Sequence, residues 1–584
     1  MSEDRYNYEE IGKYLCKSNI RVGTAILADN EESLLKEIQK AANSGSRHIE
    51  IGSLDKNNAA RSFGFSSSTV EEIRQISKLS AVTLMVHASP YANISGFSNR
   101  GFSPEERNRV VCEVKAAIDF ACKINDRDPA VVLHANSFPR SISDVELGVF
   151  REETMKTYYL VDPATEALVG AISEQDRVYI PQQAKDSRGR PMWLEDRNRK
   201  PIVDSVAGQP IPRLAIDENG RIRGEEITFA EYSRRMQRSG KSQKEIIKSF
   251  LCLQRTAEIN AAYLRLLEAE RTISDAQARR DKLQDSLAYC RSLIKSSPQE
   301  IWQHERSIPD RLSSLGIPVP QDTRSIISLL EDELGHNQRI IESGRQALAT
   351  GWPQFSNIVK QLREIKPLEE HGLEVISEAI VEIAEYCISA SRYSPIRLAI
   401  ENLPQPQMYG SHLRELLEII EQSRSKLSRR LQKKGYGTSE SIRLAKEVIG
   451  ATLDIGHLNL FRQLYQGSAF HGWLTSQVKD LASAGVIYNL HLSDNRGMDD
   501  SHLLLGEGNA PIKEVLGVLA DNDYRGYVVV EAGGARATRH TWDKFGILPM
   551  ATDDELMRGF TPRQAFGGLF SKDDPERPMF GKDG

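Results

Sequence analysis

The chain has 584 residues, 40% of them hydrophobic and 27% charged, so it is longer than one ordinary domain and carries ample material for a core. A formal net charge of -5 and a pI near 6.2 exclude global electrostatic attraction to nucleic acid and leave that role to local basic patches. No apolar run reaches the roughly 18 residues of a membrane helix and the amino-terminal stretch lacks an apolar signal core, so no membrane partner is expected. Six scattered cysteines without a CxxC pair, most in apolar helical settings, fit reduced, buried thiols, and a cytoplasmic location follows as the expectation.

Residues 20–26 (IRVGTAI), 47–52 (RHIEIG), 81–87 (AVTLMVH) and 130–134 (AVVLH) read as buried strands. Between them, residues 31–44, 68–79 and 103–125 have helical spacing. In the first, Leu34, Leu35, Ile38 and Ala41 recur at three and four residues; the last opens with Ser103 as N-cap and Pro104 behind it. Strands and helices alternating in this way predict a parallel sheet.

Residues 140–362 interrupt the pattern. Up to about residue 225 the sequence is polar with local strand and turn signals (TYYLVDPATEALVG, VYIPQQAKDSRGRPMW, LAIDENGRIRG), which predict a small meander or an extended arm. Residues 227–295 and 323–349 follow as two amphipathic helices with a proline-bearing connection at 315–320. Phe250, Leu253, Ala257, Asn260, Leu264 and Leu267 take a and d spacing, which predicts an antiparallel coiled-coil hairpin; the alternative is a short bundle packed on the main body.

The first pattern resumes near residue 368. Helices at 373–392, 412–433, 439–449, 461–484 and 511–521 alternate with strands at 397–401 (RLAIE), 451–454 (ATLD), 486–491 (VIYNLH) and 527–531 (YVVVE), and a last helix follows Arg536. Eight strands with helices between them give an α/β fold, a (β/α)8 TIM barrel interrupted after its fourth strand. The expected division is residues 1–139 and 363–550 for the barrel, 140–362 for the inserted domain, and 551–584 for a loose polar tail.

In such a barrel the carboxyl ends of the strands converge on one site. Those ends carry His87, His134, Glu401, Asp454 with His457 three residues on, His491 and Glu531, while Asp500 and His502 lie in the loop after the seventh strand. A lone histidine at a strand end is more often structural, and residues 486–508 alone fit a solvated Asp-rich turn beside a core histidine as well as a ligand loop. Agreement across six strands favours a metal site. Imidazoles and carboxylates suit zinc, with manganese or iron as other ions for the same donors, and four carboxylates among nine ligands can neutralise more than one dication.

The motifs at these ends are His87-Ala-Ser-Pro-Tyr91, VVLHANS, AIENLP, LDIGH, HLSDNRG, Asp500-Ser-His502 leading into LLLGEGN, and VVVEAGG. In that order they resemble endonuclease IV, the zinc-dependent apurinic/apyrimidinic endonuclease family within the xylose-isomerase-like barrels. The resemblance covers about half of the chain and omits the insertion. It implies three zinc ions: His87 and His134 on one, Asp454, His491 and Glu531 on a second with Glu401 bridging the two, and His457, Asp500 and His502 on the third. It also implies hydrolysis of DNA phosphodiester bonds at abasic or damaged sites by a hydroxide held between the ions, with Glu401 orienting or deprotonating the water. Tyr91, Asn136, Asn402 and Asp494 are the expected substrate contacts or supports.

The chain departs from the family in three places. His134-Ala-Asn stands for His-Pro-Gly, Pro90 delays Tyr91 by one residue, and the first strand lacks a histidine.

Two other classes fit parts of the sequence. A metal-dependent sugar or sugar-phosphate isomerase or epimerase uses the same barrel with fewer ligands, often two glutamates, an aspartate and a histidine. An assembly or scaffold protein would work through the helical insertion, by self-association or a protein partner. The basic stretches at 424–434 and 197–200 are candidate phosphate contacts or solvated faces. GEG at 506–508 shapes a turn, since it lacks the strand-to-helix glycine pattern of a phosphate loop.

Overall fold

The computed structural model describes residues 7–18, 20–27, 31–52, 64–125, 129–135, 138–141, 156–204, 208–296, 307–318, 323–360, 364–390, 394–465 and 468–547. Asn136 and the tail at 551–584 lie outside them. Two compact units form, one from residues up to Glu174 and from Lys366 onward, the other from Gln175–Ile365.

The first unit is built on a closed, all-parallel barrel of β1 (Val22–Ile26), β2 (His48–Ile51), β3 (Thr83–His87), β4 (Ala130–His134), β5 (Arg397–Glu401), β6 (Ile449–Asp454), β7 (Ile487–Leu492) and β8 (Tyr527–Val530), each paired with its neighbours in sequence order and β8 closing on β1. Alternation along each strand separates two environments. Leu84, Val86, Val131, Leu133, Leu398 and Ile400 belong to the large core shared with the helices, whereas Met85, Ala130, Val132 and Ala399 form a small separate cluster inside the barrel. The next inward positions are His87, His134 and Glu401. One period-two pattern therefore fills the barrel below and places ligand-type side chains at its upper rim.

The helices follow their local signals. Ser103 caps Pro104–Ile124 by accepting from the Glu106 amide, and the His412 side chain caps Leu413–Lys433. Gly23 lies where β1 passes the backbone of β2, and a Cβ there would collide with the His48 carbonyl. The basic stretch at 424–434 is largely tied down: Arg424 donates to the Ile449 and Lys446 carbonyls, Lys426 to Ser377 and the Glu374 carbonyl, and Arg430 pairs with Glu378 and Glu385. Those side chains join helix to helix and are not a phosphate surface. Of the six cysteines only Cys290 and Cys387 are fully buried, and Cys16 and Cys112 are exposed, against the expectation of buried thiols throughout.

A five-stranded sheet belongs to the barrel unit, and two of its strands lie in the stretch 140–362 expected to form the inserted domain. Its order is Lys366–Pro367, Thr157–Asp162, Ala167–Ser173, Gly101–Phe102 and Phe97–Ser98. Val161 joins the main core, and Arg107 pairs with Glu166 at 3.2 Å.

In the second unit, residues 182–204 and 208–223 form a three-sided array whose rungs are closed by backbone bonds. Residues 182, 215 and 223 make one triangle of N–H to O=C bonds, residues 184, 192 and 213 the next, and residues 194, 202 and 211 the third. Behind this lies a ten-residue tandem repeat, QQAKDSRGRP followed by MWLEDRNRKP, with Asp186 and Asp196 at its turns. Each aspartate accepts from amides two and four residues on, and Asp217 does the same in a third turn. The inner face, with Leu194 and Ile211, packs on Ile259, Tyr263 and Phe355 of two helices.

Those helices are Gln243–Ser296 and Thr323–Lys360, the second running past the expected end and through Pro353. They run antiparallel: Gly351 lies against Leu266, Gly344 against Ile273, and Glu333 pairs with Arg279 at 2.9 Å. Their seam is Ile259, Tyr263, Leu266, Ile273, Ala276, Leu283, Leu287 and Cys290, one position away from the expected Asn260, Leu264 and Leu267. Asn260 is buried because its side chain accepts from the Leu214 amide and donates to the Pro212 carbonyl, holding the array.

Candidate metal centre

At the rim of the barrel the strand ends bring their side chains within contact distance. Strand register sets the pairs: Glu401 lies opposite His134, and Asp454 opposite His491. Registered neighbours in a parallel sheet point to the same side, here inward. Glu401 is 1% exposed and is shared three ways. Its Oε2 lies 3.0 Å from His87 Nε2 and 2.9 Å from His134 Nε2, while Oε1 lies 3.0 Å from His491 Nδ1. His491 Nδ1 also meets Glu531 Oε1 at 2.9 Å and lies 4.0 Å from Asp454 Oδ2.

A second cluster adjoins the first. Asp500 Oδ2 stands 3.1 Å from the Nε2 atoms of both His457 and His502, and His502 Nδ1 lies 3.7 Å from Glu531 Oε2. The three-residue spacing of Asp454 and His457 has a local cause. Asp454 caps the helix Ile455–Asn459, its Oδ1 accepting from the His457 amide at 2.7 Å, which leaves Oδ2 facing the site. His502 is held at φ 45°, a left-handed conformation unusual for histidine.

Other groups fix which ring nitrogen faces inward. His87 Nδ1 sits 2.6 Å from the Ala88 carbonyl and His457 Nδ1 2.7 Å from the Asn402 carbonyl, so both present Nε2. His491 is turned the other way: Nε2 meets Glu50 Oε2 at 3.0 Å and Nδ1 faces the cluster. Glu50, on β2, is a residue the sequence reading missed. It is 1% exposed and also accepts from Asn489. The signal was present in RHIEIG, where a carboxylate interrupts an apolar strand at an inward position.

The charges lean on one another. Burial by itself would depress the His87 imidazole, but the hydrogen bond and charge of Glu401 outweigh it and lift its pKa to about 9. The Asp500 hydrogen bond lifts His502 to about 9 against burial. Burial would raise Glu401 and Glu531; the surrounding imidazoles outweigh it, holding Glu401 well below the usual carboxylate range and Glu531 down to about 2. Asp454 goes the other way, pushed up by burial and then by the Glu531, Asp500 and Glu401 charges, which exceed the pull of His457.

The donor set fits metal ions. His87, His134 and Glu401 form one group whose ligand atoms lie within 4.8 Å of one another, and Glu401, Asp454, His491 and Glu531 form another. Asp454 Oδ2, Asp500 Oδ1 and Glu531 Oε2 are buried without a hydrogen-bond partner. Buried carboxylate oxygens in that state are costly, and divalent cations would satisfy them.

The four expected substrate contacts fare differently. Tyr91 is 61% exposed on the loop after β3, and Asn136 lies outside the described residues. Asn402 is buried, with both ends of its amide taken by the backbone of Asp454: Oδ1 accepts from its N–H at 2.8 Å and Nδ2 donates to its carbonyl at 3.1 Å. Asp494 is likewise occupied, its carboxylate accepting from the amides of Asn495, Gly506, Gly508 and Ala510. In both, the polar atoms already hold β6 and the ligand loop, which is the part of a support.

Residues 432–545 match the xylose isomerase-like TIM barrel family. Over 169 residues the chain is 30% identical to an uncharacterized protein of Methanocaldococcus jannaschii, an alignment covering 29% of this chain and 44% of that relative; the chain thus spans less than half the length of the curated relative it matches. Among solved structures it is similar to a D-tagatose 3-epimerase-like protein (15% identity, covering 90% of this chain and 95% of that one, TM-score 0.37). It is also similar to D-psicose 3-epimerase from Clostridium cellulolyticum H10 in complex with D-tagatose (10%, 94% and 97%, TM-score 0.35). A third is the catalytic domain of β-amylase from Paenibacillus polymyxa (11%, 94% and 98%, TM-score 0.28).

Proposed function

We propose that the barrel is a multinuclear, metal-dependent phosphodiesterase of the endonuclease IV type, acting on DNA at abasic or otherwise damaged sites. The observation that carries this is the sharing of Glu401: one carboxylate oxygen faces the His87 and His134 pair, the other faces His491, and the Asp500 cluster adjoins through Glu531. Two imidazoles and a bridging carboxylate would hold one ion, Asp454, His491, Glu531 and the other Glu401 oxygen a second, and His457, Asp500 and His502 a third. Zinc suits this mixture of imidazole and carboxylate; Mn2+ and Fe2+ share the preference.

When bound, such ions supply Lewis acidity and bring the pKa of water towards neutrality. Glu401 stands between the two groups, placed to orient the attacking water and take its proton. The His457, Asp500 and His502 group lies to one side, where charge on the departing oxygen would be neutralised in an in-line displacement. Extrusion of the target nucleotide would let the phosphorus reach these residues.

A second reading has its own support. Glu401, Asp454, His491 and Glu531 alone form a compact four-ligand group, the composition expected of a sugar or sugar-phosphate isomerase or epimerase. Metal stoichiometry separates the two. Three ions per purified chain favour the phosphodiesterase, and one per chain favours the isomerase. The activity test is incision of an abasic-site duplex after metal reconstitution, abolished by chelator and by Glu401→Gln. Intact duplex under those conditions sinks the hydrolase reading.

A further inference from the structure

Arg197 and Asn198, from the basic stretch at 197–200 that the barrel site does not use, line a cleft of about 720 Å³ in the second unit, and Arg199 and Lys200 follow them in the same turn. The cleft lies between the second repeat turn and the end of the Thr323–Lys360 helix, with Arg197, Asn198, Trp352, Ser356 and Lys360 on its walls. The Arg197 guanidinium lies over the Trp352 ring at 5.2 Å and donates to the Leu348 carbonyl at 3.3 Å, so two flat surfaces are held at the wall. Arg199, Lys200 and Lys360 are exposed. Asp196 also lines the cleft, with its Oδ1 accepting from the amides of Asn198 and Lys200 of its own loop.

The backbone gives an independent observation. In the three turns that begin at Asp186, Asp196 and Asp217, the fourth residue is left-handed: Gly189 at φ 76°, Arg199 at φ 58° and Gly220 at φ 77°. Two of these turns use glycine, for which the conformation is free of Cβ strain. The turn at the cleft uses arginine and keeps a strained backbone, as residues retained for binding do. Triangle order stacks this turn one rung above the turn at 186–190, where exposed Arg188 adds a further cation.

We propose that this cleft and the two stacked turns form a second nucleic-acid site, in which Arg188, Arg199, Lys200 and Lys360 contact phosphates and a base stacks in the cleft beside Trp352 and Arg197. Cations along a groove with an aromatic wall bind single strands without strong sequence preference. The inference rests on the phosphodiesterase reading only for the identity of the polyanion. Covalent linkage to the barrel would then raise the local concentration of substrate.

The test is fluorescence anisotropy of a labelled, mixed-sequence single-stranded 20-mer with the full chain in EDTA, so that the barrel chemistry is silent. Arg199→Gly is expected to raise the Tm, by relieving the turn, while weakening binding several-fold. Arg199→Gly with Lys200→Gln should weaken it further and reduce the slope of log affinity against log salt by about 0.7 for each charge removed. Trp352→Phe should retain affinity and Trp352→Leu lose it. Wild-type affinity in the Arg199 and Lys200 variants overturns the proposal, as does absence of binding by the wild-type chain. Displacement by inorganic polyphosphate at equal phosphate concentration also overturns it, because stacking would then contribute nothing. Binding without incision by the metal-loaded protein would refute the barrel reading and leave this one standing.

Discussion

His491 is the residue on which the centre turns, since its Nδ1 faces both Glu401 and Glu531 only while Glu50 holds Nε2. Removing that hold frees the ring to rotate and to change tautomer. Glu50→Gln, which keeps the shape but alters the hydrogen bond, is expected to weaken metal binding by about 10–100-fold as read by chelator competition, with little change in far-UV circular dichroism. Unchanged metal affinity would show that Glu50 is merely buried. Gly508 makes a similar point for the loop: a Cβ would collide with the Asn495 carbonyl and with Asp494. If the centre holds the proposed ions, Gly508→Ala is expected to displace the segment that carries Asp500 and His502 and so to lower the number of metals bound per chain without abolishing binding.

At the scale of elements, the start of the Leu413–Lys433 helix carries a titration that function does not explain. Glu415 accepts from the Gly410 amide at 2.9 Å and has Arg140 at 3.5 Å, yet burial outweighs both and pushes its pKa up to about 7 from 4.5. The folded chain therefore holds a proton between those values that the unfolded chain has lost. Stability from this group is fully present below about pH 4.5, falls as pH rises to about 7, and is level above it, for a loss of up to about 3 kcal/mol. Glu415→Gln should flatten the fall of Tm between pH 5 and pH 7. An undiminished slope in that variant would assign the titration elsewhere.

For the whole molecule, the useful cut is between the two units. Excising residues 175–365 leaves the hairpin Thr157–Asp162 and Ala167–Ser173 and its partner Lys366–Pro367 in place. Across that sheet the new ends, opposite Lys156 and Val161, are separated by two strand spacings and about five residues along the strands, roughly 20 Å, so a flexible linker of about twelve residues closes the gap. This barrel variant is expected to stay folded and to bind metal with the stoichiometry of the full chain. Excising residues 140–362 instead removes Val161 from the core and the Glu166 partner of Arg107, and should give an insoluble or molten product. Equal behaviour of the two deletions, by calorimetry and metal content, would count against placing the hairpin with the barrel.

Much of the barrel was legible in the chain because its strands are short apolar runs between helices with clear spacing and caps, and because strand alternation places the last inward residue of each at the rim. His87, His134, Glu401, Asp454 and His491 follow from that one periodicity. Tertiary structure decided what periodicity cannot encode. Asn402 and Asp494 look like free polar groups in sequence, and only the fold reveals that backbone amides and carbonyls already occupy them. Glu50 is one carboxylate in an apolar run until β7 is seen across the barrel interior, where His491 and Asn489 reach it. Asn260 takes an a/d spacing in sequence, and only the fold shows its side chain answering to Leu214 and Pro212, residues far away along the chain. Local order is set by neighbours along the chain, whereas the partner of a buried polar atom is set by whichever segment the fold brings to it.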